Sequence, residues 1–555
     1  MRRWRWWLLL CVCLAGLLWG GSRPGQAQSD LPWVTPFTPQ RVLWVAPQGT
    51  GPGTLAEPAS LAYVVKSARP GDLVWLLPGT YAGGEALYML RDGTAEAPIV
   101  YRACPAAHVV LDGGVAFASA YTWFWGLDMT NVTDPGEVVG FIQTPDGPVK
   151  GGSALVNVKV PGTRLINNVV HDAVQSQSGI GGWDGGPGQV YYGNIVYGNG
   201  QNPETDRAPH GTYTQNNYAA DGYKYFVHNI ILDHAALCGE KCYNFHAHTQ
   251  GAGTVSGYYL FQNVMANGRL AIGGANANLS PSDHHVVLQN YFYDMGKIQL
   301  GFRKPWQGLF AENYVARNSS ATLTIWGAGE TAFTPPGATI VRDNTFVYQD
   351  NWHYLDLYSM TTTGLLGSAP LRPGDLIDDN YYGEDVRVKY WVAEQTLSLK
   401  SLAAWTAQSQ QDGNVLGFDG HSVVGPNPTA SVVFALPNAY EPGRGHLAIY
   451  NWAGAAETLV DLAPILPPGS AFGLYDPQNL FGEPVLTGTF DGEPLAVPTP
   501  AEFQSYVVLP AVPDQAHVCD PDYARPGLAG YLVWPLLALA GSAVWAVARW
   551  LGGRG

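Results

Sequence analysis

The phrase Ile166-Asn167-Asn168-Val169 returns along the middle third of the chain. Its further copies read Gly193-Asn194-Ile195-Val196, His228-Asn229-Ile230-Ile231, Gln262-Asn263-Val264, Leu288-Gln289-Asn290-Tyr291, Glu312-Asn313-Tyr314 and Asp343-Asn344-Thr345. Counted from Asn168, successive asparagines lie 26, 35, 34, 27, 23 and 31 residues apart. This spacing, with strand-forming residues and no helical periodicity, predicts stacked β coils that bury a continuous core between them.

The recurring asparagine has two interpretations. A buried Asn at the same bend of every coil can form a ladder, because its side-chain amide both donates and accepts hydrogen bonds. Alternatively, Asn recurs as a generic turn residue that tolerates positive φ. Both interpretations are compatible with a repeat of stacked coils.

Length and composition limit the classes of protein to consider. A chain of 555 residues is too long for one ordinary core and suits a repeat domain with accessory parts. Charged residues make up only 13%, whereas Gly (67), Trp (19) and Tyr (30) are abundant, which favours a β-rich, turn-rich exported protein. The formal net charge is −15 without a long Lys/Arg run in the mature region, so nucleic acid is not an expected partner.

Both ends of the chain read as membrane-related segments. Residues 1–27 have basic residues, an apolar run and small residues before a cleavage point, which predicts a secretory signal peptide. Residues 527–548 contain no charge and are long enough to span a bilayer, with Arg549 and Arg554 behind them. We therefore expect an exported protein, anchored in the cell membrane by a C-terminal helix with the bulk of the chain outside. Residues 511–526 would be the linker.

Four cysteines remain after removal of the signal peptide: Cys104, Cys238, Cys242 and Cys519. Cys238 and Cys242 bracket a short loop that a disulfide could close in an oxidising compartment. A zinc site is the weaker alternative, because the sequence offers no second thiol pair beside them.

The N-terminal motifs carry a family resemblance. They are Trp44-Val45-Ala46-Pro47 with a Gly-rich loop, Pro58-Ala59-Ser60-Leu61 at a helix start, and Arg69-Pro70-Gly71-Asp72 leading to Leu77-Pro78-Gly79-Thr80-Tyr81. Together they resemble the N-terminal cap of right-handed parallel β-helix proteins, the superfamily of pectate-lyase-like enzymes and many surface proteins. The resemblance implies the fold and says little about activity. A cap makes physical sense, because a stack of strands exposes an unpaired end that must be covered.

The predicted fold is therefore all-β. A right-handed parallel β-helix with an N-terminal cap occupies 41–360, and a transition segment with a helix near 398–408 occupies 361–424. Many short β runs in 425–510 predict a small β-sandwich.

Strands that follow each Asn phrase can be aligned, and alternation then separates inner from outer side chains. The predicted inner residues are Ile180, Thr212, Phe245, Leu270, Ile298, Leu323 and Leu355. Their neighbours would line an elongated outer face with aromatic residues and hydrogen-bonding groups. Sugar rings stack on aromatic faces while fixed polar groups meet their hydroxyls, so this face suits an extended polysaccharide. The predicted substrate-binding residues are Trp183, Tyr213, Gln215, Asn244, Gln299, Trp326 and Tyr358. The alternative is a solvated sheet beneath long loops.

Imidazoles and cations on the same strands are the candidate catalytic groups. They are His210, His246, His248, Arg269 and Lys297. Imidazole can act as a general base, and Arg or Lys can stabilise the carboxylate of a uronic sugar, as a polysaccharide lyase requires. A glycoside hydrolase would instead need two carboxylates at a defined separation, and no such pair is apparent. The three imidazoles could alternatively hold a metal ion. No metal is assigned and the cofactor stays unknown, since no dense Asp cluster marks a calcium site. A non-catalytic cell-surface protein that binds glycan, or serves in adhesion or structure, is the alternative.

Overall fold

The computed structural model describes residues 31–83, 86–131, 141–144, 147–150, 154–173, 178–183, 186, 188–200, 209–216, 222–234, 242–249, 255–273, 282–302, 305–318, 322–327, 338–349, 355–359, 375–383, 386–392, 395–411 and 418–511. The predicted signal peptide and the predicted membrane helix both lie outside these residues. Within the described ranges, no helix combines the length and apolarity needed to cross a membrane.

Successive coils place their strands in three parallel rows. The first row is a 12-stranded sheet. Its strands are Arg41–Val45, Asp72–Leu76, Ile99–Ala103, Thr122–Trp125, Arg164–Ile166, Val190–Tyr192, Lys224–Val227, Tyr258–Phe261, Ser282–Leu288, Trp306–Ala311, Thr339–Arg342 and Leu376–Asp378. Every pairing in this row is parallel and skips the strands of the other two rows, which defines a parallel β-helix.

The second row follows the asparagine corner. Its strands are Gly79–Tyr81, Val109–Asp112, Asp128–Thr130, Val169–His171, Ile195–Tyr197, Ile230–Leu232, the beginnings of Val264–Ile272 and Tyr291–Leu300, Tyr314–Ala316, Thr345–Val347, Tyr381–Tyr382 and Val423–Val424. The two long strands continue into the third row and join the two rows into one sheet. Their register shifts between Gly268 and Arg269, where the coil turns the corner.

The third row completes each coil. Its strands are Leu87–Met89, Val115–Phe117, Ala154–Val158, Ser178–Gly182, Thr212–Thr214, Phe245–Ala247, the ends of the two long strands, Leu323–Gly327, Leu355–Ser359 and Val388–Val392. Two antiparallel elements accompany the stack. They are the strand Gln395–Leu399 beside Val388–Val392, and the hairpin of Phe141–Thr144 with Gly147–Lys150.

The asparagines form the predicted ladder. Each side-chain Nδ2 donates to the Oδ1 of the asparagine one coil further, at 2.9–3.0 Å from Asn168 to Asn380. Positive φ belongs to the residue before the ladder position, such as Asn167 (53°) and His228 (58°). The ladder asparagines are thus kept for their amides, and the neighbouring residue makes the turn.

The stack is longer than the sequence analysis indicated. Residues 376–424, predicted as part of a transition segment, add further strands to all three rows. Asn380 extends the ladder by one rung and donates to the buried carboxylate of Asp419 at 3.3 Å. The helix Leu402–Gln411 begins four residues later than predicted, and its Trp405 is fully buried at this end of the core.

At the other end, the helix Leu61–Ser67 covers the first coils. Ser60 caps it by accepting a hydrogen bond from the amide of Tyr63, and Leu61, Val64 and Val65 are buried in the core. This agrees with the predicted cap.

The outer face of the first row is covered by the chain itself. Trp33 is only 6% exposed and packs against Tyr259 and Phe261 with ring centroids 5.3 and 5.4 Å away. Arg164 joins three parts of the chain, because its guanidinium donates to the carbonyl of Trp33 and to the hydroxyl of Tyr440, both at 2.6 Å. The N-terminal segment is therefore a strap over this face.

The C-terminal module is antiparallel. Its five-stranded sheet has the order Val432–Pro437, Gly445–Tyr450, Phe503–Pro510, Ala471–Tyr475 and Leu486–Thr489. A two-stranded ribbon, Glu457–Val460 with Leu495–Pro498, shares an apolar core with this sheet, and a 3₁₀ helix spans Pro477–Asn479. The antiparallel strands match the prediction for this region, and their description as a β-sandwich stays a prediction.

This module lies on the outer face of the second row. Val169, Ile195 and Ile230 point away from the coil interior and pack with Ala448 and Tyr450 of the module in one buried cluster. The next residue of each strand, Val170 for example, belongs to the coil core instead. Period-2 alternation thus serves two cores, one inside the coils and one beneath the module.

Candidate functional site

The third row has the predicted register. All of the predicted inner residues are at most 2% exposed. Hydrogen-bonded pairing aligns the outer column Gly181, Tyr213, His246, Ala271, Gln299, Thr324 and Asp356. The side chains beside the inner residues therefore share one face, as the sequence analysis required.

Five of the predicted residues form one imidazole–aromatic cluster. Its members are Trp183, His210, Tyr213, His246 and His248. Ring centroids of His210 and His246 lie 4.6 Å apart, and those of His246 and His248 lie 5.1 Å apart. His210 is 6% exposed, whereas the other members are partly exposed. The cluster is thus half-buried.

His210 and His246 are neutral near pH 7. Burial lowers the pKa of His210 to about 3, helped by the neighbouring imidazoles of His234 and His248. Burial likewise lowers the pKa of His246 well below its usual value, and His210 and His248 add to the effect. A hydrogen bond of 3.0 Å joins His246 Nδ1 to His210 Nε2.

Tyr213 and His248 form a second polar pair. The Tyr213 hydroxyl lies 3.2 Å from His248 Nδ1. Burial raises the pKa of Tyr213, while the hydrogen bond from the Gln215 side chain opposes that rise by favouring the phenolate. The Tyr213 hydroxyl can donate its proton to His248 Nδ1 across this distance. This pair has the geometry of an acid–base couple.

Trp183 is held from several sides. Its ring lies over Gly181, where an added Cβ would meet the indole at 2.8 Å, so only glycine leaves room. The indole Nε1 donates to Asn157 Oδ1 at 3.1 Å. From inside the coil, the fully buried Lys224 donates from Nζ to the carbonyl of Trp183 at 2.7 Å. The result is a fixed, partly exposed aromatic surface.

Two cations lie further along the face. Arg269 and Lys297 occupy paired positions on adjacent strands, and both are partly exposed. The Arg269 side chain lies against Gly296, where a Cβ would come within 3.2 Å of its Nε. Adjacent strands are about 4.8 Å apart, so both charges can reach one anionic group.

Asn244 was predicted to point outward, and this is wrong. It is fully buried at the corner between the second and third rows. Its Nδ2 donates to the carbonyls of Ile231 and Ala266 at 3.0 and 2.9 Å, and its Oδ1 lies 3.2 Å from His234 Nδ1. Asn244 stabilises the corner, and it has room there because Gly268 has no side chain: a Cβ on Gly268 would lie 2.0 Å from Asn244 Oδ1.

The remaining predicted residues do not join the cluster. Gln299 is 7% exposed, and its amide donates to the carbonyl of Gly301 at 3.0 Å. Trp326 is partly exposed further along the face, with its ring centroid 5.7 Å from that of Phe302. Tyr358 lies in the strand Leu355–Ser359, but its side chain is outside the described part of the molecule.

Sequence reasoning missed Tyr243, Asn157 and Lys224. The Tyr243 ring stacks on His246 at 4.4 Å and 16°. Tyr243 precedes the strand and Lys224 lies on another row, so no alternation along the third row identifies them. Asn157 does occupy the outer column, in register with Gly181, and an earlier start to the strand alignment would have found it.

A metal centre was not predicted here. Among the described residues, the group whose ligand atoms converge well enough for a metal ion is Asp378, Asp379 and His421, at the C-terminal end of the stack. His210, His246 and His248 do not meet the same criterion of distance. No residue of the imidazole–aromatic cluster is therefore assigned to a metal.

The disulfide prediction is partly addressed. Cys242 is disulfide-bonded, and so is Cys104. Cys238 and Cys519 lie outside the described residues, so the pairing of Cys238 with Cys242 stays a prediction.

Comparisons with known proteins agree with the architecture. No family model matches the chain, and no curated protein matches it. Pectate lyase Pel9A aligns with 64% of this chain and 78% of its own length, at 16% identity and a TM-score of 0.32. A PL6 family polysaccharide lyase from Pseudopedobacter saltans aligns over 66% and 90%, at 15% and 0.33. XylC in complex with xylose aligns over 85% and 98%, at 9% and 0.38.

The fold is a parallel β-helix, because its three rows of strands pair in parallel from coil to coil. At these identities and TM-scores the likeness carries no argument about the site, which is interpreted from its own residues. The parallel β-helix expected from the N-terminal motifs is confirmed by the strand pairing.

Proposed function

We propose that the outer face of the third row binds and cleaves an extended acidic polysaccharide. The observation that carries the proposal is the half-buried imidazole–aromatic cluster beside two paired cations. The other two faces are covered by the N-terminal strap and the C-terminal module, whereas this one presents partly exposed polar and aromatic side chains.

The side chains favour a sugar acid over a neutral sugar. Trp183 supplies a rigid ring for stacking against a pyranose, and Tyr213 lies beside it with ring centroids 5.5 Å apart. The described outward side chains between Trp183 and Trp326 include Arg269 and Lys297 and no carboxylate. Such a surface attracts an anionic polymer and orients its carboxylates.

The reaction we propose is β-elimination. The Tyr213–His248 pair removes the proton on the carbon next to the sugar carboxylate, while Arg269 and Lys297 stabilise the negative charge that develops there. The bond to the glycosidic oxygen then breaks, a carbon–carbon double bond forms, and the leaving oxygen takes up the proton that the Tyr213–His248 pair has accepted. Hydrolysis would need a pair of carboxylates, and the described side chains of this face offer none.

A panel of acidic and neutral polysaccharides tests this proposal. We expect an unsaturated product, detected by its ultraviolet absorbance, from at least one uronic polymer. Tyr213→Phe should lower turnover by at least about 100-fold, since one proton-transfer group is removed. Tyr63→Phe is the matched control, because Tyr63 is 59% exposed on the N-terminal helix. Unchanged turnover in Tyr213→Phe would contradict the assigned acid–base pair.

Glycan binding without turnover is the second candidate. It is favoured by the hydrogen bonds of His210. Both ring nitrogens of His210 bond to other groups of the protein, so neither needs a substrate as its partner. The same panel separates the candidates. If polymers of the panel bind saturably and none of them yields new reducing or unsaturated ends, the result would favour a binding or adhesion protein.

We also propose that the protein is exported and anchored in the cell membrane by residues 527–548. The disulfides at Cys104 and Cys242 support an oxidising compartment. Protease treatment of intact cells should degrade the β-helix, and deletion of residues 527–555 should release the protein into the medium. Protection of the β-helix in intact cells would contradict this location.

A further inference from the structure

The amide of Tyr243 determines which nitrogen of His210 is protonated. The Tyr243 N–H donates to His210 Nδ1 at 3.2 Å, so this nitrogen is an acceptor. A neutral imidazole carries one proton, which must then be on Nε2. His210 Nε2 in turn faces His246 Nδ1 at 3.0 Å and donates to it.

The same rule fixes the proton on His246. Its Nδ1 accepts from His210, so its own proton is on Nε2. The opposite tautomer would set a proton on His210 Nδ1 against the Tyr243 amide hydrogen. It would also leave His246 Nε2 as an acceptor. Stacking of Tyr243 on His246 at 4.4 Å restricts rotation of that ring.

We propose that His246 is a neutral hydrogen-bond donor to the substrate rather than its general base, with His210 and Tyr243 as positioning residues. The identity of the substrate, an acidic polysaccharide, rests on the proposed function. The tautomer of His246 is inferred independently of the proposed function.

This assignment gives His246 a specific chemical task. A donor at the edge of the cluster can bind a carboxylate or hydroxyl oxygen of the sugar and becomes more effective as negative charge develops on that oxygen. A neutral donor does this without carrying a positive charge into a half-buried site. Arg269 and Lys297 supply the charge instead.

Side-chain nitrogen NMR of the full chain labelled at histidine tests the tautomer without any glycan. We expect both His210 and His246 to be protonated on Nε2, with the His246 signal assigned by its loss in His246→Gln. In His210→Ala, His246 should shift to a mixture of tautomers. A His246 proton on Nδ1 in the unaltered protein would overturn the proposal.

Turnover provides the second arm. The amide of His246→Gln retains an N–H near the position of Nε2, so we expect it to keep turnover within about fivefold, whereas His246→Ala should lose at least tenfold. Equal loss in both variants, with the acidic limb of the pH profile abolished, would identify a base and overturn the proposal. If no glycan is turned over, the proposed function fails while the NMR result still decides the tautomer.

Discussion

The outer faces of the second and third rows belong to the same coils and differ in what covers them. On the second row, Val169, Ile195, Ile230 and Val264 are at most 2% exposed beneath the C-terminal module. On the third row, the equivalent column contains Tyr213 and His246, and both are partly exposed. The backbone is alike in both rows, so the side chains alone determine that one face docks a module and the other remains available for a ligand.

Histidine shows the same contrast. On the second row, burial alone would lower the pKa of His171, but hydrogen bonds to Asp128 and Asp172 outweigh it and raise the pKa to about 9. On the third row, His210 lacks such a carboxylate contact among the described residues, and burial holds its pKa at about 3. His171 is therefore charged near pH 7 as a structural contact, whereas His210 is neutral.

The largest expected effect comes from placing a charge beneath the module. Ile230→Asp buries an unpaired carboxylate between the second row and the module, and should lower the free energy of unfolding by on the order of 3 kcal/mol or more. Denaturant unfolding measures the loss, and limited proteolysis near residue 425 reports release of the module.

Gln215→Asp is the control for this substitution, because Gln215 is partly exposed on the third row. It should change the unfolding free energy by less than about 1 kcal/mol. Equal losses of unfolding free energy in both variants would contradict the difference in burial between the two faces.

The second effect is a pH dependence of opposite sign on the two faces. Because the folded pKa of His171 is raised, its stabilisation is complete below about pH 6.5 and is lost as the pH rises through about 9, up to about 3 kcal/mol. Because the folded pKa of His210 is lowered, its contribution is present above about pH 6.5 and is lost as the pH falls toward 3.

Unfolding free energies measured between pH 4 and pH 9.5 test these slopes. His171→Gln should reduce the alkaline slope alone. His210→Gln should reduce the acidic slope only in part, because the lowered pKa values of His228, His234, His246, His285 and His446 contribute to the same slope. A His171→Gln variant that keeps the full alkaline slope would refute the role of the carboxylates around His171.

The third effect concerns Asn244, which lies beneath the corner of the third row. Asn244→Ala leaves the carbonyls of Ile231 and Ala266 and the imidazole of His234 without its amide, and should cost about 2 kcal/mol of stability. Thermal unfolding measures this, with Gln215→Ala as the partly exposed control. Unchanged stability together with lost glycan binding would restore the outward position that the sequence suggested.

The smallest effect is expected at Trp183. Trp183→Ala should weaken glycan binding by about tenfold through loss of ring stacking, while the unfolding free energy falls by about 1 kcal/mol because Asn157 Oδ1 loses its donor. Calorimetric titration with the polymer that the panel identifies measures the affinity, and Tyr63→Ala serves as the control. A large loss of stability with intact binding would make Trp183 part of the core.

Much of the site could be predicted because strand alternation is local. Once the Asn phrases set the register, the inward side chains from Ile180 to Leu355 and the alignment of Tyr213 with His246 followed from a period of two. Asn244 escaped this logic because it precedes the strand Phe245–Ala247, at the corner, where alternation along the strand no longer decides the side-chain direction. The extension past residue 360 was missed although Asp379-Asn380-Tyr381 repeats the phrase 36 residues after Asn344, close to the 35 residues between Asn194 and Asn229.

The sequence by itself determined the ladder, the coils and the row that carries the candidate site. These depend on short-range pattern, which side-chain chemistry and spacing record directly. The tertiary structure decided which faces are covered and which nitrogen of each histidine carries a proton. The coverage depends on contacts such as Trp33 with Tyr259 and Ile230 with Tyr450, whose partners are more than 200 residues apart. The tautomers depend on one backbone amide, that of Tyr243, whose direction no residue pattern encodes.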